Sequence, residues 1–190
     1  MSTNFPGFSA PAVGPESPLE MLSVCHHRMG RQCAALRRLV RHLAERGVDD
    51  VARAAAANVM RYFDTSAKHH HADEEEELFP ALIESMAGSD AVCLRELTEG
   101  LKADHGALEI AWQRVRGVLE KVARGESVRL ESDDVEVLVG QYERHIGREE
   151  KELLPMAARL LSEGDLTRIG RAMRERRGID DTGGISRRPR

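Results

Sequence analysis

Aromatic residues are scarce in this sequence, at 4% of 190 residues, and cysteines number only three. Scarce aromatics combined with many Ala, Leu, Arg and Glu residues favour helix over sheet. Cys25, Cys33 and Cys93 include no C-x-x-C pair, so we expect reduced thiols in a cytoplasmic protein. No apolar run reaches membrane-spanning length, and the N-terminus lacks the basic and apolar segments of a signal peptide.

Several classes of function are also without support in the sequence. The net charge of −4 gives no general affinity for nucleic acid or for acidic membranes. The chain shows no phosphate-binding loop, no nucleotide-binding motif and no recognisable pair of nucleophile and base. The sequence therefore indicates neither a nucleotide-dependent enzyme nor a hydrolase.

Apolar residues recur at three- and four-residue steps between two segments rich in Gly, Pro and Ser. We expect an irregular N-terminal arm over residues 1–17, an ordered domain over 18–176 and a flexible tail over 177–190. Within the domain the pattern predicts four long helices and a short fifth one, over about residues 18–46, 50–86, 90–124, 132–162 and 165–176. Short connections between long helices predict an all-α, up-down-up-down four-helix bundle with an extra C-terminal helix.

One pattern occurs twice without gaps. The segment "HHADEEEELFP" begins at His70 and the segment "HIGREEKELLP" begins at His145, and both fit the template H-x3-E-E-x2-L-[FL]-P. A solvated charge run on a helix surface has no reason to recur with its histidine, paired acids and proline in register. We therefore interpret the recurrence as a functional signal.

Helix geometry gives the two motifs a direction. Residues four apart lie on the same face of a helix, so His70 and Glu74 can point to one spot, as can His145 and Glu149. Each following acid is rotated by about 100°. We therefore expect Glu75 and Glu150 at the rim of the site.

The rest of the first acidic run has a simpler interpretation. Asp73, Glu76 and Glu77 are expected to be solvated or to form pairs within their own helix.

A further histidine lies on the helix before each motif, since His26 and His105 precede the motif histidines by 44 and 40 residues. A four-helix bundle can bring these side chains together. Four imidazoles and two carboxylates suit a pair of first-row transition ions, which the carboxylates can bridge. The six candidate ligands are His26, His70, Glu74, His105, His145 and Glu149. His27, directly after His26, is the alternative ligand on the first helix.

This arrangement resembles the hemerythrin-like (HHE cation-binding) family, which places one His, H-x3-E, one His and H-x3-E on four successive helices. The resemblance covers about residues 18–162. It implies a non-heme di-iron site with an oxo or hydroxo bridge inside a four-helix bundle. Glu74 and Glu149 would bridge the two irons, and the terminal ligands would be His26, His70, His105 and His145. The rival ferritin-like pattern needs Glu three residues before His, and no carboxylate stands there.

The match departs from the family at one position. Oxygen-carrying hemerythrins have a second histidine four residues after that of the third helix, and here this residue is Glu109. The departure argues against simple reversible oxygen carriage. Glu109 could coordinate instead, and His71, the neighbour of His70, could reach the same iron.

Two other residues near the candidate ligands have alternative roles. Asp104 could accept a hydrogen bond from an imidazole N–H or lie exposed. Tyr142 could direct its hydroxyl towards a bound oxygen species or serve only in packing.

The resemblance leaves three hypotheses for the function. The first is a protein that binds or senses dioxygen, oxidants or nitric oxide through two iron ions. The second is a di-iron peroxidase or oxidase, or an enzyme that removes nitric oxide. The third is a bundle that stores or delivers iron. The expected partner is a small diatomic or peroxide ligand, with neither nucleic acid nor membrane involved, and no protein partner is indicated.

Overall fold

The computed structural model describes residues 17–86 and 90–179 of the chain, and the regular elements in these residues are helical. The arm expected over residues 1–17 and the tail expected over 177–190 lie almost wholly outside the described residues. The helices are α1 Pro18–Arg46, α2 Asp50–Arg61, α3 Lys68–Asp73, α4 Phe79–Ser85, α5 Asp90–Ala123, α6 Ser132–Arg148, α7 Leu154–Leu160 and α8 Glu163–Arg176. Short π-helical turns at Tyr62–Ala67, Glu74–Leu78 and Glu149–Leu153 join α2 to α3, α3 to α4 and α6 to α7.

The ends of α1 and α2 follow from local chemistry. Pro18 opens α1, where its missing N–H leaves no hydrogen bond unmade. Gly47 ends α1 with a φ of 72°, a conformation that costs least for glycine. Asp49 caps α2 by accepting a hydrogen bond from the Ala52 backbone N–H at 2.8 Å. Only three residues therefore separate α1 from α2.

The long helical segments pack side by side as a helical bundle. Helix α1 packs against α2 and α6, and α5 packs against the same two helices. We call the four long helical segments rods: α1, α2 with α3 and α4, α5, and α6 with α7. Their alternating up-down order stays a prediction from the short connections. Among the described residues, no helix is both long and apolar enough to cross a bilayer.

The bundle has two apolar clusters with a polar layer between them. Along α1, Leu22 belongs to one cluster and Met29 to the other, and the buried His26 lies between them. In each of the other three rods, a buried histidine likewise separates residues of the two clusters. His105 lies between Leu101 and Leu108, His70 between Ala67 and Leu78, and His145 between Tyr142 and Leu153. All four rods therefore contribute histidine to one buried layer.

One prediction about the acidic run is wrong, because Asp73 contacts the C-terminal end of the chain around α8. Asp73, which we expected to be solvated or paired within its helix, is buried under α8. Its carboxylate accepts hydrogen bonds from Arg176 at 2.9 Å and from Arg177 at 2.5 Å. Glu76 and Glu77 form ion pairs with Arg176 and Arg168 of the same helix. The run is therefore neutralised by arginines about a hundred residues further along the chain.

Candidate metal centre

The π turns hold each motif on one face of its rod. Four-residue spacing drifts by about 40° per step around a regular α-helix, since four residues turn about 400°. A π turn takes more residues and cancels this drift. As a result His70, Glu74, Leu78 and Leu82 all have an exposed fraction of 0%. The second motif behaves alike, with His145, Glu149, Leu153 and Ala157 at 1%, 0%, 0% and 0%.

One group of ligand atoms comes from α1, the first motif and Glu149 of the second motif. The Nε2 atoms of His26 and His70 lie 3.1 Å apart. Glu74 Oε1 is 3.3 Å from His70 Nε2, and Glu149 Oε2 is 3.1 Å from His26 Nε2. These four atoms surround one point in the polar layer.

The other group comes from α5, the second motif and Glu74 of the first motif. The Nε2 atoms of His105 and His145 are again 3.1 Å apart. Glu74 Oε2 lies 3.3 Å from His105 Nε2, and Glu149 Oε1 lies 3.0 Å from His145 Nε2. Glu74 and Glu149 thus each present one oxygen to each group, which is the arrangement of two bridging carboxylates.

The spacing of these atoms fits metal ions. Two ligand atoms about 2.1 Å from one ion and at right angles to each other stand about 3.0 Å apart. In the structure, neighbouring ligand atoms are 3.0–3.3 Å apart. Imidazole nitrogens and carboxylate oxygens are ligands that iron, zinc and other first-row ions accept. The donor set therefore suits two first-row cations.

The buried carboxylates also require positive charge. All four carboxylate oxygens of Glu74 and Glu149 are buried without a hydrogen-bond partner among the described residues. Burying an unpaired carboxylate is strongly unfavourable. Two cations between these side chains would remove that cost.

The pKa values of the two carboxylates are driven apart. Burial raises the pKa of Glu74 well above its usual value, and the neighbouring charge of Glu149 adds to the effect. Burial also acts to raise the pKa of Glu149, but the imidazoles of His145 and His26, with Nε2 atoms 3.0 and 3.1 Å from its oxygens, outweigh burial and hold that pKa low. The two carboxylates therefore lose their protons at different pH when no cation is near.

Burial acts on the imidazoles in the same layer. It lowers the pKa of His70 to about 3 and the pKa of His71 well below its usual value. Burial likewise lowers the pKa of His105, against the opposing hydrogen bond of Glu75. For His26 the burial effect is outweighed by Glu149 and Glu150, and the pKa is raised. Neutral imidazoles keep the lone pair that a metal ion needs.

Glu75 and Glu150 have a role that the sequence analysis did not find. Each was expected at the rim, and each is partly exposed, but each also binds an imidazole of the layer. Glu150 Oε1 accepts a hydrogen bond from His26 Nδ1 at 2.6 Å, and Glu75 Oε1 accepts one from His105 Nδ1 at 2.6 Å. The second glutamate of each motif was the sequence feature that could have indicated this role.

His71 reaches the second group rather than that of its neighbour His70. Its ring stacks on the His105 ring with centroids 4.0 Å apart and an interplanar angle of 12°. Its Nε2 atom is buried and has no hydrogen-bond partner among the described residues. His71, His105 and His145 form a further cluster of nitrogen atoms able to hold an ion. The structure thus places a fifth imidazole at the centre.

The structure does not bring Glu109 or His27 to the layer. Glu109 is exposed, accepts a hydrogen bond from Gln113 at 2.7 Å and lies 3.5 Å from the Lys68 ammonium. The exposed His27 ring bonds to the Ser23 backbone carbonyl at 2.8 Å. Of the two residues considered for a fifth position, His71 lies at the layer and Glu109 lies at the surface.

Asp104 and Tyr142 lie beside the layer without a direct hydrogen bond to it. Asp104 is 3.6 Å from His145 Nδ1, which exceeds hydrogen-bond length, and it accepts a hydrogen bond from Arg148 at 2.7 Å. The Tyr142 ring packs 5.2 Å from Phe63 in the apolar cluster, with its centroid 6.4 Å from that of His71. This contact favours the packing role of Tyr142.

The fold and this centre define a helical bundle with buried clusters of histidine and glutamate that could hold metal cations. Comparison with known proteins places the chain within a family. Residues 17–157 match the hemerythrin HHE cation-binding domain, and the chain belongs to that family. An uncharacterised protein of Haemophilus influenzae is 29% identical over 164 residues, which cover 86% of this chain and 92% of the relative. Helix α8 lies beyond the residues matched to the family.

Proposed function

We propose that this protein is a di-iron protein that binds or senses dioxygen, an oxidant or nitric oxide. The observation that carries the proposal is the placement of Glu74 and Glu149, each with one oxygen in each group of ligand atoms. Terminal ligation then falls to His26 and His70 at one position and to His105 and His145 at the other. His71 adds a third imidazole at the second position.

The chain's own residues prepare this centre. Burial lowers the pKa of His70 and His71, so each keeps a nitrogen lone pair that is free to bind a metal ion at physiological pH. The apolar clusters on both sides limit the access of water. A pair of iron ions bound here would supply one-electron redox chemistry and positions for a small ligand. We further propose that the four rods alternate in direction, as the short connections predict.

The decisive experiment is metal analysis of freshly purified protein, together with its absorption spectrum before and after reduction. We expect about two iron ions per chain, one for each group of ligand atoms, and a near-ultraviolet band that is lost on reduction. The Glu74→Ala/Glu149→Ala variant should lose most of the iron. An unchanged iron content in that variant would contradict the bridging role, and one tightly held zinc in the wild type would contradict the di-iron proposal.

The response to small molecules separates binding from catalysis. A spectral change that reverses between oxygen and argon supports binding or sensing. Sustained catalytic loss of peroxide would instead assign the protein to the enzymes.

A further inference from the structure

Two of the imidazoles lack an aligning partner on their own helix. His70 and His145 each have a motif glutamate four residues later that faces the same point. Residue 30, four after His26, is glycine, and Glu109, four after His105, is exposed and pairs with Gln113 instead of facing the layer. The ring orientation of His26 and His105 must therefore be set from another rod. A ring that turns freely about its side-chain torsions would point Nε2 into the layer only part of the time.

On the α1 side, the acceptor is Glu150 from the π turn after α6. Its Oε1 atom accepts a hydrogen bond from His26 Nδ1 at 2.6 Å. The same oxygen accepts a hydrogen bond from the Ser23 hydroxyl at 2.7 Å. Ser23 lies three residues before His26, so one turn of α1 holds the carboxylate from two sides.

The α5 side repeats this arrangement. Glu75 Oε1 accepts a hydrogen bond from His105 Nδ1 at 2.6 Å. The Lys102 ammonium, three residues before His105, lies 4.0 Å from Glu75 Oε2. The first glutamate of each motif therefore lies in the layer, and the second binds a histidine on another rod: Glu75 binds His105 on α5, and Glu150 binds His26 on α1.

We propose that Glu75 and Glu150 are positioning residues that fix His105 and His26 with Nδ1 protonated and Nε2 facing the ions. The inference rests on the proposed function, since it assigns these imidazoles to metal. A carboxylate acceptor at 2.6 Å makes a strong charge-assisted hydrogen bond. Such a bond selects one tautomer, orients the ring and increases its basicity as a ligand. Loss of such a partner typically lowers metal affinity about 10–100-fold.

The test uses zinc as a diamagnetic probe and protein labelled with ¹⁵N at histidine. Long-range ¹H–¹⁵N spectra of the metal-free protein identify the tautomer of each ring, since an ion bound at Nε2 would itself leave the proton on Nδ1. Calorimetry with added zinc gives the metal affinity. In Glu150→Ala we expect the fixed tautomer to be lost at His26 and kept at His105, with affinity lowered about 10–100-fold. In Glu75→Ala we expect the mirror image.

The control is Glu152→Ala, because Glu152 is exposed in the same π turn as Glu150. It should leave both tautomers and the zinc affinity as in the wild type. Glu75→Gln and Glu150→Gln keep an oxygen acceptor, so they should retain more affinity than the alanine variants, and they serve in their place if those do not fold.

Two results would overturn the proposal. One is zinc affinity within about twofold of the wild type in both alanine variants. The other is loss of both tautomers together in either variant. If the wild type binds no metal, the proposed function fails, while the tautomers of the metal-free protein still decide whether the two carboxylates position the rings.

Discussion

The side chain of His71 contributes two separate properties to the centre. Its flat ring packs on His105 at 4.0 Å, and its Nε2 atom is a buried nitrogen beside His105 and His145. A phenylalanine at this position keeps the ring and removes the nitrogen. The substitution therefore separates packing from metal ligation.

We predict that His71→Phe folds as the wild type does but binds one of two cobalt(II) ions at least about tenfold more weakly. Removing a residue that only hydrogen-bonds to a ligand lowers metal affinity by about tenfold or more, and removing a ligand itself should lower it further. Calorimetric titration should show one weakened step. His27→Phe, which changes an exposed ring on α1, is the control. Two unchanged binding steps in His71→Phe would show that the ring serves only in packing.

The three cysteines differ sharply in exposure. Cys25 and Cys33 are buried and Cys93 is exposed. Burial raises the pKa of the Cys33 thiol to about 12, so the reactive thiolate is nearly absent at pH 8.

We therefore predict that a thiol reagent at pH 8 modifies one cysteine quickly in the native protein and three after denaturation. Mass spectrometry should locate the fast modification at Cys93, and Cys93→Ser should abolish the fast phase. A fast phase that persists in Cys93→Ser would contradict the burial of the other two thiols.

At the scale of helices, the π turns mark the limit of prediction from sequence. The H-x3-E repeat was sufficient to predict that His70 with Glu74, and His145 with Glu149, face one buried region. A helical wheel assumes a constant rotation per residue, and the turns Glu74–Leu78 and Glu149–Leu153 break that assumption. The wheel could therefore place Glu75 and Glu150 at the rim but could not identify their histidine partners.

The ion pairs of Asp73 could not be predicted from the sequence for a different reason. Asp73 lies in an acidic run that is typical of a solvated face, and its partners Arg176 and Arg177 lie more than a hundred residues away. No periodicity within one helix carries that information. The contact depends on where α8 docks.

The docking of α8 gives a prediction about stability. Asp73→Ala leaves two arginines without their buried acceptor, so it should lower the free energy of unfolding by about 2–3 kcal/mol. Glu76→Ala removes an exposed partner of the same Arg176 and should cost less than about 1 kcal/mol. Urea unfolding of the two variants measures both values. Equal losses would mean that the burial of Asp73 adds nothing to the ion pair.

At the scale of the whole molecule, the polar layer interrupts what would otherwise be one continuous apolar core. Two facing carboxylates within it repel each other and lack hydrogen bonds among the described residues. Such a layer opposes folding when no cation is bound and favours it when cations are present.

We predict that Glu74→Gln makes the metal-free protein at least as stable as the metal-free wild type, because the pKa of Glu74 is raised by burial and its charge therefore opposes folding. The wild type should gain about 2.7 kcal/mol when free metal exceeds its dissociation constant a hundredfold. The variant should lose most of this gain. Thermal unfolding with and without added zinc measures both effects. A metal-free variant that is clearly less stable than the metal-free wild type would show that the Glu74 carboxylate serves the fold itself.

The crosswise sharing of glutamates has a consequence for any fragment of the chain. The first two rods carry His26, His70 and Glu74, but the fourth residue of that group, Glu149, lies on the fourth rod. Neither half of the chain can complete even one position alone. A peptide containing only one half could do so only by associating with another copy or with its missing complement, so cleavage between the halves need not abolish the centre as long as the two pieces remain together.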